Sequence, residues 1–422
     1  MWFNSTLYKN ILEQNDSSKI IDCFTENSPL IPYLNDFISL EVTIDNYQYL
    51  IQLCDFLMIE ENDIMIDIIV SKFGQDIIHT FARFYKYNCK KLIKHTTQSL
   101  SVAIQLWCED INLCYKVYGH SAFWDVSEVK DMGYMFSFCN FNGDVRYWDV
   151  SNVENMAYMF YQNIVFNRNI SMWDVSKVKN MQNMFENTSF DQDIYDWNVS
   201  NVENMSGMFE NSIFNQNISG WRVYKVKTMQ NMFKDSIFNR NIIDWNVSNV
   251  RDFFGMFENC FFNQNLSKWN MSSAINISRM FYFSSFNKDI SGWDVSNVKY
   301  MSMTFSCGFF NQNISGWDVG NVIEMNKTFK DSYFNHSLSR WNVYNVKEMS
   351  GLFENSPFDQ DISNWNVSKV KIMRRLFKNS DFNQNISRWN ITMKRIDDME
   401  NMFQNSKMKI LPNWYIEKIE NI

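Results

Sequence analysis

Proline and glycine are scarce: 4 Pro and 12 Gly in 422 residues exclude collagen-like, proline-rich and glycine/serine-linker chains. The only histidines are His79, His95, His120 and His336, and none stands at metal-ligand spacing or beside a nucleophile it would serve. GxxxxGK[ST], GxGxxG and HExxH are all missing, which removes the commonest phosphate, dinucleotide and zinc-protease readings. The eight cysteines (23, 54, 89, 108, 114, 139, 260 and 307) form no CxxC pair, a usage that fits a reduced compartment. No run of 18 apolar residues occurs, so no membrane span is expected. The opening MWFNSTLYKNILEQNDSSK lacks a basic n-region, an apolar h-region and a small-residue cleavage site. A cytoplasmic or intracellular location is therefore expected.

Charge is weak and of one sign. The net is −8, with 9 Lys/Arg against 15 Asp/Glu over residues 1–120 and near balance beyond. Nucleic-acid binding needs a basic stripe that displaces counterions from phosphates, and Lys371, Arg374 and Arg375 stand alone, so no nucleic-acid partner is expected. What the chain does have is aromatic weight: 17% Phe, Trp and Tyr, with 15 Trp and 26 Met. Such a bias marks a short unit copied many times.

Trp recurs at 124, 148, 173, 197, 221, 245, 269, 293, 317, 341, 365 and 389, always 24 residues apart except for one gap of 25. Counting from Trp as position 0, the unit reads W-[DN]-V-S-x-V-x-x-M-x-x-M-F-x-N-S-x-F-N-Q-[ND]-I-S-x, as in Trp197 through Gly220. The extra residue of the 25-residue copy falls near Ile164 and Val165, where a surface turn is expected. Ile194, Trp197 and Val199 end in a period-2 pattern and predict a short strand. Met205, Met208 and Phe209, at i, i+3 and i+4, predict a short helix with Ser200 and Asn201 as N-cap candidates. One such unit cannot bury its apolar side alone, so the twelve copies are expected to stack, with Trp, Met and Phe forming internal columns. The Met/Phe column is read as core, Met filling gaps between rings. Repeated Asp at +1 (Asp125, Asp149, Asp174, Asp294, Asp318) reads as solvated surface carboxylates, with no metal and no cofactor expected.

The segments WDVSNVENMAYMF, WDVSKVKNMQNMFENTSFDQDI and WNVSNVENMSGMFENSIFNQNISGW resemble the BspA-like leucine-rich-repeat surface proteins, the family also described as the mycoplasma lipoprotein-associated domain of unknown function. The resemblance extends to Tyr118, Gly119 and His120 ahead of Trp124. It implies an α/β solenoid: a leucine-rich-repeat-like right-handed coil of 24–25-residue strand–helix units used for adhesion or protein binding, with no catalytic residues. Position +5, where the ordinary leucine-rich repeat carries Asn, is here Val153, Val178 and Val202. A polar ladder that satisfies the backbone must then come from +18: Asn167, Asp191, Asn215 and Asn239.

The expected organisation is a module over 1–95, an N-terminal cap helix and opening segment over 96–123, the solenoid over 124–412 and a C-terminal cap over 413–422. Residues 97–117 pattern as one amphipathic helix through Leu100, Ile104, Trp107 and Ile111. Within the first 95 residues, a short extended segment followed by two helices around an LMIEEN turn looks like the C-terminal half of a BTB/POZ or Skp1-like domain. Too few residues precede it for a whole such domain, and an unrelated all-helical module is the alternative.

Two functions fit. One is a non-enzymatic scaffold that recognises a protein partner through the strand face. The other is an intracellular adaptor whose BTB-like module recruits a ubiquitin ligase while the repeats hold the target. On the strand face, a carpet of Asp/Asn and Ser is broken by Tyr147, Met172, Tyr195, Arg222, Tyr224, Lys225, Arg340 and Tyr344. Aromatic and Arg side chains dominate binding hot spots, so these eight are the candidate partner-binding residues. The Asn-, Ile- and Lys-rich wording suggests an AT-rich genome such as a protist, a mycoplasma or a giant virus; for a virus, the setting is virion or host cytoplasm.

Overall fold

The computed structural model describes residues 94–119, 121–391 and 396–420. The BTB-like or helical module expected over 1–95 lies, apart from Lys94 and His95, outside the described residues, as does His120. The chain groups into two compact units, one within Met1–Val129 and Gly143–Asp149, the other within Lys130–Asn142 and Val150–Ile422.

In the first unit, the single helix expected over 97–117 is two: α1, Thr97–Glu109, and α2, Ile111–Tyr118. The break falls at Asp110, whose backbone is extended at φ −150 and whose carboxylate accepts the Leu113 N–H. That bond caps α2 and makes a fresh helix start more favourable than continuation. Thr96 caps α1 in a reciprocal box with Ser99, the arrangement that satisfies two otherwise orphan N–H groups. Leu100, Ala103 and Ile104 are buried, while Trp107 and Ile111 are half-buried. His95 sits against Trp124, the ring centroids 5.2 Å apart.

The second unit is a stack of near-identical copies, and their internal structure differs from the strand and helix expected. Among the described residues the parallel bridges between copies lie at +7, running from Asp131↔Asn155 to Glu348↔Ile372, and the one bridge in a Trp segment is that of Asp125 with Lys94 in the first unit. Positions +9 to +14 form consecutive turns instead of a helix. Here alternate N–H groups serve different partners. Met208 and Glu210 donate back to Met205 and Gly207, whereas Gly207, Phe209 and Asn211 donate across to Gln230, Met232 and Lys234 of the next copy, at 2.7–2.9 Å.

An α-helix would direct every N–H to its own i−4 carbonyl and leave nothing for the neighbour. The turn form instead requires a left-handed residue at +10 and at +14. Gly207 (φ 61) and Asn211 (φ 50) supply them, and Arg279, Met303, Lys327 and Arg375 adopt the same conformation at +10. For such non-glycine residues this costs roughly 1–2 kcal/mol each, offset by bonds to the neighbouring copy. Met, Met and Phe at +8, +11 and +12 therefore share a side for a reason other than helical period.

The core matches the columns expected. Trp, Val, Met and Phe at the repeating positions are almost wholly buried. The Phe rings at +12 stack copy on copy at 5.0–5.9 Å, as in Phe136–Phe160, Phe185–Phe209 and Phe305–Phe329, and each lies close to the +17 Phe of its own copy, 4.1 Å for Phe209–Phe214. Trp rings stack at 6.3 Å in Trp221–Trp245. Every indole from Trp197 to Trp414 also donates Nε1–H to the carbonyl three residues ahead of the preceding Trp, as Trp245 does to Ile218 at 3.0 Å. The polar ladder expected at +18 is present: the Asn167, Asp191 and Asn215 side chains accept the backbone N–H of Asp191, Asn215 and Asn239 in turn, at 2.9–3.0 Å. In the 25-residue copy, Asn163 spans the extra residue by donating to the Phe141 carbonyl and accepting from Phe166 N–H, while Ile164 turns out to solvent. The stack ends on α3, Asn413–Glu420, with Trp414 on Trp389 at 6.4 Å.

Candidate binding surfaces

In most copies the Trp segment is bounded by two bends tied by Asx side chains; the Trp221 copy carries Arg222 in place of the Asx after its Trp, and Ser337 takes the Asx role ahead of Trp341. Asp193 accepts from Tyr195 N–H ahead of Trp197, and Asn198 accepts from Ser200 N–H after it. The candidate surface is accordingly a row of turns and not a strand face. The repeated Asp at +1 is engaged in the same way, Asp174 and Asp294 holding Ser176 and Ser296; the Asp294 carboxyl lies below its ordinary range because the Ser296 hydroxyl and N–H bond its charged form. The +4 amides are not idle surface either. Asn201, Asn249 and Asn297 donate to the Ser176, Tyr224 and Ser272 carbonyls of the preceding copy.

On this row Met172, Tyr195, Arg222, Tyr224, Lys225, Arg340 and Tyr344 are exposed and Tyr147 is half-exposed. They make separate groups. Tyr195 lies over Gly220, where an added Cβ would come within 3.0 Å of its ring, and Arg222, Tyr224 and Lys225 follow in the next copy, which begins at Trp221. Lys225 is anchored to Asn201 at 2.7 Å. Farther along, the Lys369 ammonium sits 3.8 Å from the centroid of the Tyr344 ring, one copy after Arg340. Tyr147 belongs to the first unit, where Arg146 lies over its ring.

The charged side chains at positions +6 and +13 differ in how far they are exposed. Glu203 and Lys227 form an exposed pair. Lys234 reaches Glu210 at 2.7 Å with both side chains mostly covered, and Arg279 grips Glu258 through two nitrogens at 2.6 Å. Burial, with Glu210 next to it, raises the Glu186 carboxyl above its usual range. His336 takes the place of the usual Gln at +19 and bonds the Asn311 carbonyl at 3.1 Å, a structural task.

Cys260 and Cys114 are buried, and desolvation pushes their thiols up to about 11 and about 12. Cys108 and Cys139 are disulfide-bonded, whereas Cys114, Cys260 and Cys307 are free. Among the described residues, no group of three or more His, Cys, Asp or Glu is placed to hold a metal, and no helix is long and apolar enough to cross a membrane.

The sequence reading missed a second surface. Position +16, a variable letter between the conserved Ser and Phe, is Ile213, Ile237, Phe261, Phe309 and Tyr333 in five copies, exposed by 45–66%. The signal was there, as an apolar residue recurring where the consensus has none.

A family model described as "Mycoplasma protein of unknown function, DUF285" matches residues 112–213, 187–284, 207–313, 239–335 and 302–415. No curated protein and no solved structure matches the chain.

Proposed function

Because the chain belongs to the Mycoplasma DUF285 family of unknown function, its matches spanning most of residues 112–415, we propose that it is a non-enzymatic repeat scaffold that binds a protein partner. In this reading the stacked copies make a solenoid of the leucine-rich-repeat type in the broad sense, and the partner docks on the row of turns beside the Trp column. One observation carries it. Tyr195, Arg222, Tyr224 and Lys225 are exposed on neighbouring turns: an Asp193 bond ties the Tyr195 turn, Tyr195 lies over Gly220, Lys225 bonds Asn201 of the preceding copy, and the Tyr224 carbonyl is held by Asn249 of the following one.

Rigid presentation lowers the ordering cost of binding, and Tyr and Arg are the residues that anchor interfaces. The triple substitution Tyr195→Ser, Arg222→Ser and Tyr224→Ser tests the proposal in the full chain. A partner captured by cross-linking with the unaltered protein should be lost, while the unfolding midpoint stays unchanged because exposed positions contribute little. Undiminished capture by the triple variant overturns the assignment of this surface.

A further inference from the structure

Six consecutive copies each turn one large apolar side chain out at the same corner, immediately before or after the buried +15 position: Ile213, Ile237, Phe261, Phe283, Phe309 and Tyr333. The series is bounded. The preceding copy has Asn187 and Ser189 there, and the following one Asn355 and Pro357. Within it Phe309 and Tyr333 stack at 5.8 Å. A row of six such groups is a patch of the kind that monomers rarely leave open.

We propose that this corner is the interface of an antiparallel homodimer, a second copy of this chain crossing it about a two-fold axis between the Phe261 and Phe283 copies. Three features single out a second copy. The first is self-complementarity: reversing the row sets Ile213 opposite Tyr333, Ile237 opposite Phe309 and Phe261 opposite Phe283, so that each Ile meets an aromatic ring and the two central Phe meet each other. The second is charge. The corner carries Asp235 and Asp331 at +14, each near its own Lys (Lys234 at 3.7 Å and Lys330 at 3.8 Å). In the reversed arrangement Asp235 faces Cys307, and Asp331 faces Asn211. A parallel pairing in the same register would set each carboxylate against itself, which is unfavourable. The third is area. Six side chains offering about 100 Å² each give about 600 Å² per partner before any polar rim is added, and a stable interface needs about 800 Å² per partner.

The proposal uses residues different from those of the proposed partner surface and stands or falls separately. Sedimentation velocity on the full chain from about 1 to 100 µM should show a dimer. Phe261→Asp with Phe309→Asp should weaken it at least about 100-fold by placing carboxylates in the dry centre, with the unfolding midpoint unchanged. The triple variant of the Tyr195 surface should dimerise normally. Asp235→Cys should yield, on mild oxidation, a covalent dimer that Cys307→Ser abolishes; Cys307 already occupies the same left-handed backbone position at φ 56, so the substituted site accepts the residue. A monomer throughout overturns the proposal and leaves the corner to a different protein. So does a dimer indifferent to the two Asp substitutions. A cross-link that persists without Cys307, or none at all, overturns the antiparallel register.

Discussion

Two sides of one copy hold the next copy by different chemistry. Beside the Trp column the link is side chain to backbone: an indole N–H on an Ile or Leu carbonyl, an Asn amide on a Ser carbonyl. From +8 to +14 it is backbone to backbone, through four N–H groups per copy, as in Met205, Gly207, Phe209 and Asn211. Side-chain links demand particular residues. Backbone links demand only a conformation. Trp therefore stands at position 0 of all twelve copies, whereas +10 wanders through Tyr134, Asn183, Gly207, Arg279, Met303 and Lys327 at one common backbone angle.

The largest effect that tests this contrast is at the Trp column. Trp245→Ala should cost about 3–5 kcal/mol in denaturant unfolding, as large aromatic truncations in packed cores do. Trp245→Phe, which keeps a ring but leaves the Ile218 carbonyl without its donor, should cost about 1–3 kcal/mol. Equal, small losses for both would mean that the backbone ladder alone sets cohesion.

On the ladder side the sign of the effect should depend on conformation. Gly207→Ala should lose about 1–2 kcal/mol, because φ is 61 and the new Cβ meets the Asn183 side chain. Lys327→Gly, at φ 56, should instead gain up to about 1 kcal/mol by relieving the left-handed penalty. Thermal unfolding of the pair decides it, and a loss in both would show that side-chain contacts at +10 matter more than φ. Between these two sides lies the +18 ladder. Asn215→Ala removes the acceptor of the Asn239 N–H and should cost about 1 kcal/mol; Asn215→Asp, which still accepts, should cost less.

The smallest expected effect belongs to the first unit. His95 is fully buried, and among the described residues its Nε2 has no hydrogen-bond partner. Burial opposes its charged form and lowers its pKa, only partly countered by Ser99 and Asp125. The unfolded imidazole titrates near 6.5 and binds its proton first as pH falls. His95 should thus contribute no pH dependence well above that value and a progressive loss of stability below it, ending once the folded-state pKa is passed. His95→Phe should flatten the His95 part of the profile; an unchanged slope in that variant would place the titration elsewhere.

The columns, the period, the place of the inserted residue and the +18 ladder were all legible from residue spacing, because a repeat that must bury the same atoms in every copy has to write them at the same interval. The turn run was not legible. Met205, Met208 and Phe209 at i, i+3 and i+4 look the same whether the N–H groups close on their own chain or reach the next copy, and period reports only which side chains share a side. The candidate residues fared alike. Seven of the eight are exposed as read, yet the structure divides them into groups and seats them on turns; the apolar corner lies at positions that the consensus leaves open, so no recurring residue type announces it.

By itself, then, the sequence determined what must be inside: Trp, Val, Met and Phe recur at fixed intervals, and no other burial satisfies all twelve copies at once. Only the tertiary structure decided where the backbone hydrogen bonds go. A lone copy offers its +8, +10, +12 and +14 N–H groups no partner of the right kind, and the left-handed residues that aim them outward become favourable only once a neighbouring copy supplies the carbonyls.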